Sequence, residues 1–507
     1  MTFNTFDTLQ GSVRINLEKL SKVVNSGIPL TAFFFGILGY SFSFYFHFIT
    51  VTFIYLTVLN FIYLHVQKRH ALLSNYGIVA QMRYMIESIG PELRQYLFSS
   101  DTEEKPFSRV ERNEVYRKSK GIDSSSAFGS QLLFNENEIK LRHSMFPQSK
   151  ESLEAFSLCI GEERGLENSY TLKHPLIISA MSYGALGKNA IRALARGAKK
   201  AGILMNTGEG GFPKYHLMED CDLVFQIGTA KFGVRNEDGT LSETKLAEIA
   251  SFSQVKVIEI KFSQGAKPGK GGLLPKEKIT KEISELRGVP MGEDIVSPSY
   301  HPECTTPQAT VQFIKKVQDI SKLPVGIKLC LGLEHEFLTL IQTMKALDIF
   351  PDYISIDGAE GGTGAAPKTF MDDLGLPIYK ALPKVQNMLI KEGVRDRLKL
   401  MCAGKMINSG RQFMALSMGA DAIYSARGFL LAIGCIQALQ CNKNTCPTGI
   451  TTHDNHLQAG LDIEDKANRV QNYIQSLDRE YIELIAALGK KSLHELNDEN
   501  LFLEGVY

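Results

Sequence analysis

YISIDGAEGGTG, residues 353–364, decides the fold. Five residues with no strict polar–apolar alternation run into Asp-Gly and then a glycine-rich loop. Such a run reads as a parallel strand buried on both faces, with its loop at the C-terminal end. Seven further runs share this character: LIISAM (176–181), ILMNTGEGG (203–211), LVFQIG (223–228), VIEIKF (257–262), VGIKLC (325–330), LKLMCAG (398–404) and AIYSARG (422–428). Amphipathic helical stretches separate them. Eight β/α units over about 260 residues predict an α/β chain closed into a (β/α)8 TIM barrel, with its chemistry on the loops that follow the strands.

Those loops have the composition of an anion site. AGKMINSGRQ follows the seventh strand and ARG the eighth, where barrels of this kind hold a phosphate on backbone N–H groups and a helix N-terminus. Gly404, Gly428 and Gly364 let the backbone approach such a group, although ordinary turns also use glycine in this way. Net charge is +1, from 56 Lys+Arg against 55 Asp+Glu, so nothing in the bulk electrostatics asks for nucleic acid.

The N-terminus departs from this average. From Val23 to Gln67 the chain runs 45 residues without Asp, Glu, Lys or Arg. One membrane span needs about 20 apolar residues, so residues 1–70 are expected to hold two transmembrane helices, about 28–46 and 48–66, with a tight turn near Ser41 to His47. A buried soluble hairpin and a single tilted span are the alternatives. Arg14, Lys19 and Lys22 precede the run and Lys68 and Arg69 follow it, which places both flanks, and the body, in the cytoplasm. Residues 71–170 are expected to form a helical linker and docking arm, 171–450 the barrel, and 451–507 a helical closing segment. The charged stretch SSDTEEKPFSRVERNEVYRKSKG (99–121) reads as a linker and docking arm.

GCIQALQCNKNTCPTGI, residues 434–450, places Cys435, Cys441 and Cys446 at C-x5-C-x4-C spacing with a proline after the last. The other five of the eight cysteines are dispersed. Buried small side chains, a disulfide and a zinc site all compete. Zinc lacks its usual paired spacing and a close fourth ligand, and a disulfide suits neither a reducing compartment nor a third thiol. Three soft thiolates followed by proline favour iron–sulfur ligation.

MSYGALGKNA, NTGEGGFPK, QIGTAKFGV, EIKFSQGAKPGKGGLLP, IDGAEGGTGAAP and the cysteine run together resemble the synthase domain of glutamate synthase, over residues 104 to about 500. The resemblance implies a barrel that binds FMN and a [3Fe-4S] cluster and reduces 2-iminoglutarate, formed from 2-oxoglutarate and ammonia, to L-glutamate. Carried over by motif, it assigns the flavin to Met181, Ser182, Asn206, Gln226 and Lys328, and the phosphate to Gly364, Gly404 and Gly428. A cation such as Lys328 beside the isoalloxazine suits its reduced form; otherwise it is a salt-bridged lysine at a strand end. The oxoacid falls to Gln264, Lys267 and Arg287, since a dicarboxylate suits a forked guanidinium with an ammonium. Glu209 either moves the proton of ammonia or the imine, or caps a helix N-terminus.

The resemblance has edges. The large synthases begin with a glutaminase and continue into a β-helix, and neither pattern is present in this sequence. No G-x-G-x-x-G βαβ unit offers a nicotinamide site, so electrons are expected from a partner, ferredoxin or a reductase subunit. SPSYHPECTTPQA (297–309) replaces a stretch rich in His and Asp in the family, which puts any ammonia-channel contact there in doubt. Two other functions fit the same residues: amine exchange on glutamate, as in N-methylglutamate synthases, and a membrane-anchored electron relay without turnover.

Overall fold

The computed structural model describes residues 5–67, 69–122, 125, 129–130, 139–364 and 366–502. Lys68 and the side chain of Arg14, two of the basic flanks, lie outside these. The chain separates into two compact units, Met1–Glu104 and Lys105–Tyr507.

In the second unit the eight runs form eight strands: β1 Leu176–Ile178, β2 Met205–Asn206, β3 Leu223–Ile227, β4 Val255–Lys261, β5 Val325–Leu329, β6 Tyr353–Asp357, β7 Lys399–Ala403 and β8 Ala422–Ser425. They pair in parallel in sequence order, and β8 closes on β1 through Ile423 opposite Leu176. Side chains that point inward build a separate interior core from Ile177, Leu204, Val224, Val257, Tyr353, Met401, Ala422 and Tyr424. The hairpin Leu158–Ile160 and Tyr170–Leu172 plugs the N-terminal end of that core with Leu158, Ile160 and Leu172. The barrel is therefore filled, and ligand space is left to the loops at its C-terminal end.

A 25-residue helix, Ile463–Ala487, buries Ala467, Val470, Ile474, Leu477, Tyr481 and Ile485 at three- and four-residue intervals. It lies against the helix Lys188–Ala201 so closely that a Cβ on Gly197 would come within 2.5 Å of Val470. The charged stretch expected to be a linker and docking arm contains the helix Arg109–Ser119, started by a capping box in which Ser108 and Glu111 satisfy each other's backbone N–H groups. Its inner face is charged but paired: Lys118 is 1% exposed and donates to Glu114 (2.6 Å) and Glu480 (2.7 Å).

The first unit is helical. Lys19–Ser41 and Phe46–Val66 are long and apolar enough to cross a membrane by length and composition. The first helix runs from Thr5 to Ser41 and the second opens at Phe46, so the break falls at Phe42–Tyr45, within the expected turn; the first helix ends before its expected bound, while the second ends at Val66 as expected. No glycine or proline marks that turn. Asn60 Oδ1 accepts from the N–H of Ile78 (2.7 Å) and Ser21 donates to the carbonyl of Tyr76 (2.9 Å), so the chain after the second helix folds back onto the pair.

Candidate active site

The predicted residues gather at the C-terminal mouth of the barrel, and β4 supplies its centre. VIEIKF carries two charges in an apolar strand, Glu259 and Lys261, two residues apart and so on the same inward side. Glu259, fully buried, accepts from Asn206 Nδ2 (2.8 Å) and Gln226 Nε2 (2.7 Å) at one oxygen and from the Tyr353 hydroxyl (3.0 Å) at the other. Asn206 also accepts from the N–H of Gly208 through Oδ1 (2.9 Å), so Glu259 fixes which way both amides face.

Lys261 Nζ lies 2.6 Å from Glu209 Oε1 and 2.6 Å from Gln264 Oε1. Burial alone would raise the Glu209 carboxyl; Lys261, with Lys267 and Arg287 behind it, outweighs burial and holds it below the usual range. Glu209 caps no helix: the next one, Lys214–Leu217, starts after Pro213. Gly228 must lack a side chain, because a Cβ there would come within 2.2 Å of Glu209 Oε2.

Arg287 ends the helix Lys281–Arg287 in the long β4–β5 excursion and reaches back to the first loop, donating Nη2 to the carbonyl of Tyr183 (2.8 Å). It is 7% exposed, its guanidinium lies 5.2 Å from the Phe232 ring centroid, and its Nε is buried with no hydrogen-bond partner. Gly184, at φ 107°, makes room for it: a Cβ there would come within 2.6 Å of Nη2. Burial pulls Arg287 down to about 10, leaving it cationic at neutral pH. Lys267 is 3% exposed, is pulled down to about 8 by burial and by Lys261, and its ammonium has no partner among the described residues. Two buried cations without counterions lie beside one carboxylate already claimed by Lys261.

Lys328 ends β5 and pairs with Asp357 of β6 at 3.3 Å; Asp357 and Glu259 overcome its burial and raise its pKa. Met181 and Ser182 follow β1, against which the backbone of Gly208 packs tightly enough that a Cβ would come within 2.7 Å of the Ser182 nitrogen. At β7 and β8, Gly404 and Gly428 adjoin Lys405 and Arg427. Both cations lie over the Phe107 ring, at 5.7 Å and 4.9 Å from its centroid. Burial lowers both pKa values, helped by Arg427 and Arg411 at Lys405 and by Arg411 at Arg427, and Lys405 has no ion-pair partner among the described residues, which fits an anionic group such as a phosphate. Gly364 instead backs onto Cys441, 3.2 Å from where its Cβ would lie.

The cysteine loop is tightly held. Gln437, Leu439 and Asn444 all adopt positive φ (59°, 55° and 59°), a costly set for non-glycine residues that surrounding bonds must enforce. Gln437 brackets Phe107, accepting from its N–H (3.1 Å) and donating to its carbonyl (3.0 Å), and the Tyr116 hydroxyl donates to the carbonyl of Cys435 (2.6 Å). Burial pushes Cys435 up to about 11, with the charges of Cys441 and Cys446 adding to it. Cys441 is raised by burial; Cys446 is lowered because hydrogen bonds from Thr448 and Thr451 outweigh burial. Among the described residues no three His, Cys, Asp or Glu side chains are arranged to hold a metal ion. The donor set itself suits a shared metal cluster: three soft sulfurs on one clamped loop that repel as thiolates and need positive charge between them.

Sequence reasoning missed Glu259, Lys261, Phe232, Lys405 and Arg427. The pair of charges within VIEIKF was the available signal for the first two.

A closed parallel barrel with a buried polar floor and a cationic mouth defines a (β/α)8-barrel enzyme. The family model described as "Conserved region in glutamate synthase" matches residues 123–491, and the chain belongs to the glutamate synthase family of oxidoreductases acting on CH–NH2 groups. It is 37% identical over 473 residues to the glutamate synthase large subunit-like protein YerD of Bacillus subtilis (strain 168), covering 86% of this chain and 90% of that one. It is 36% identical over 337 residues to the archaeal glutamate synthase (NADPH) of Methanocaldococcus jannaschii, covering 66% of this chain but only 63% of the relative. Among solved structures, the flavin-binding domain of baker's yeast flavocytochrome b2 is similar at 15% identity and a TM-score of 0.47, over 83% of this chain and 86% of that one, too loose a likeness to bear on function.

Proposed function

We propose that the chain is an FMN and [3Fe-4S] enzyme that reduces 2-iminoglutarate, formed from 2-oxoglutarate and ammonia, to L-glutamate, with electrons from a partner protein. The observation that carries this reading is the pair Lys267 and Arg287, buried cations without counterions among the described residues, which a dicarboxylate would neutralise. Arg287, fixed by Tyr183 and Phe232, offers its remaining N–H groups to one carboxylate, and Lys267 takes the other. Gln264, oriented by Lys261, adds an amide at the same edge. Glu209 is anionic at neutral pH, so it accepts a proton, as in the conversion of ammonium to the ammonia that attacks the oxoacid.

Asn206, Gln226 and Lys328 are the residues that would hold the flavin ring, with its phosphate at Gly404, Gly428, Lys405 and Arg427. Cys435, Cys441 and Cys446 would hold the cluster. When bound, FMN supplies two-electron reduction and the cluster relays single electrons.

The two apolar helices anchor the chain in a membrane, with both flanks and the barrel on the cytoplasmic side. Titrating the purified yellow protein with 2-oxoglutarate tests the pocket. A saturable change in the flavin absorption spectrum is expected, and a spectrum indifferent to millimolar 2-oxoglutarate contradicts the reading.

A further inference from the structure

Three consecutive backbone carbonyls in the turn after β1 are each capped by a different basic side chain. Tyr183 O accepts from Arg287, Gly184 O lies 2.9 Å from Nε2 of His453, and Ala185 O accepts from Lys278 Nζ at 2.6 Å. Lys278 does more than cap: the same ammonium donates to the carbonyl of Cys441 at 3.0 Å. It is 3% exposed, and neither the resemblance nor the relatives give it a role. Its buried ammonium lies within electrostatic reach of the sulfurs of Cys441 and Cys446, two of the three thiols.

We infer that Lys278 is a positioning residue that ties the turn carrying Met181 and Ser182 to the cysteine loop and raises the reduction potential of the cluster held there. The inference rests on the cluster reading. Its physical content is simple. A buried cation close to a metal centre stabilises the more negative, reduced form, and in a poorly solvated setting its field is weakly screened. The two carbonyl bonds also fix the loop that carries Cys441 relative to the flavin turn, so one side chain sets both distance and field.

The test uses the full-length detergent-solubilised holoprotein with K278Q and K278R variants, iron and FMN assays, and a redox titration followed by electron paramagnetic resonance. Glutamine keeps a donor for one carbonyl but removes the charge. At the wild-type midpoint the reduced-to-oxidised ratio of the K278Q cluster should fall about tenfold, which is about 59 mV for one electron. K278R should remain near wild type, and loss of iron in K278Q that K278R restores would equally support the positioning role. A K278Q midpoint equal to wild type overturns the inference, as does a K278R shift as large as that of K278Q. A wild-type chain that holds no iron overturns the cluster reading itself and the inference with it, whereas an iron-loaded cluster indifferent to Lys278 overturns the inference alone.

Discussion

Replacing Arg287 by lysine keeps a cation in the pocket and removes its fork. Arg287 spends Nη2 on Tyr183 and leaves Nε buried without a partner, so a bound carboxylate gains a charge-assisted bond that no lysine can supply in the same plane. Lysine can retain either the Tyr183 carbonyl or the substrate. Losing one hydrogen bond to a charged group amounts to about 2 kcal/mol, or roughly a 30-fold weaker grip on the oxoacid. The assay is steady-state reduction with 2-oxoglutarate and ammonium, using a dye-reduced electron donor, with flavin content measured beside it. The KM for 2-oxoglutarate should rise roughly 30-fold. FMN content should stay normal, because Arg287 sits on the excursion between β4 and β5 and not among the flavin-holding residues. An unchanged KM in a flavin-loaded variant would refute the pocket.

Further tests bear on separate parts of the account. Serine at Cys435, Cys441 and Cys446 together should remove iron and leave a folded yellow barrel; stoichiometric iron in that variant would sink the ligand assignment. His216 and His301 are buried and held down to about 4 by burial, so the folded state binds fewer protons than the unfolded one. Stability is therefore full above about pH 6.5 and falls as pH drops toward 4, by about 2 kcal/mol per histidine between pH 7 and 5. A thermal midpoint flat across that interval would contradict these burials. Deleting Met1–Glu104 should yield a soluble, flavin-loaded protein, while the full chain should resist carbonate extraction. Full-length protein in the soluble fraction without detergent would count against the anchor.

The barrel was legible because all eight strands are short apolar runs that end in glycine or polar loops, a pattern that parallel burial imposes locally. The apolar hairpin was legible for a similar reason, and its turn, expected near Ser41 to His47, falls at Phe42–Tyr45 although that stretch contains no breaker. The charged stretch 99–121 was read as a linker and docking arm without its helix Arg109–Ser119 being singled out. The Ser-x-x-Glu cap at Ser108 and Glu111 was the better local signal. In the site, Lys267 and Arg287 came from motif resemblance; what sequence could not show is that neither has a counterion among the described residues, since that depends on every neighbour. Lys278 and Phe232 act through contacts with residues distant in the chain, and no local pattern announces them.

The central claim is that this chain makes glutamate from an oxoacid and ammonia. Incubating the holoprotein with 2-oxoglutarate, 15N-ammonium and a chemically reduced donor, then analysing the amino-acid pool by mass spectrometry, tests it directly. The account predicts 15N-labelled L-glutamate that requires both substrates and the donor. Oxidation of the donor without labelled glutamate, or no turnover from a chain loaded with FMN and iron, would contradict it.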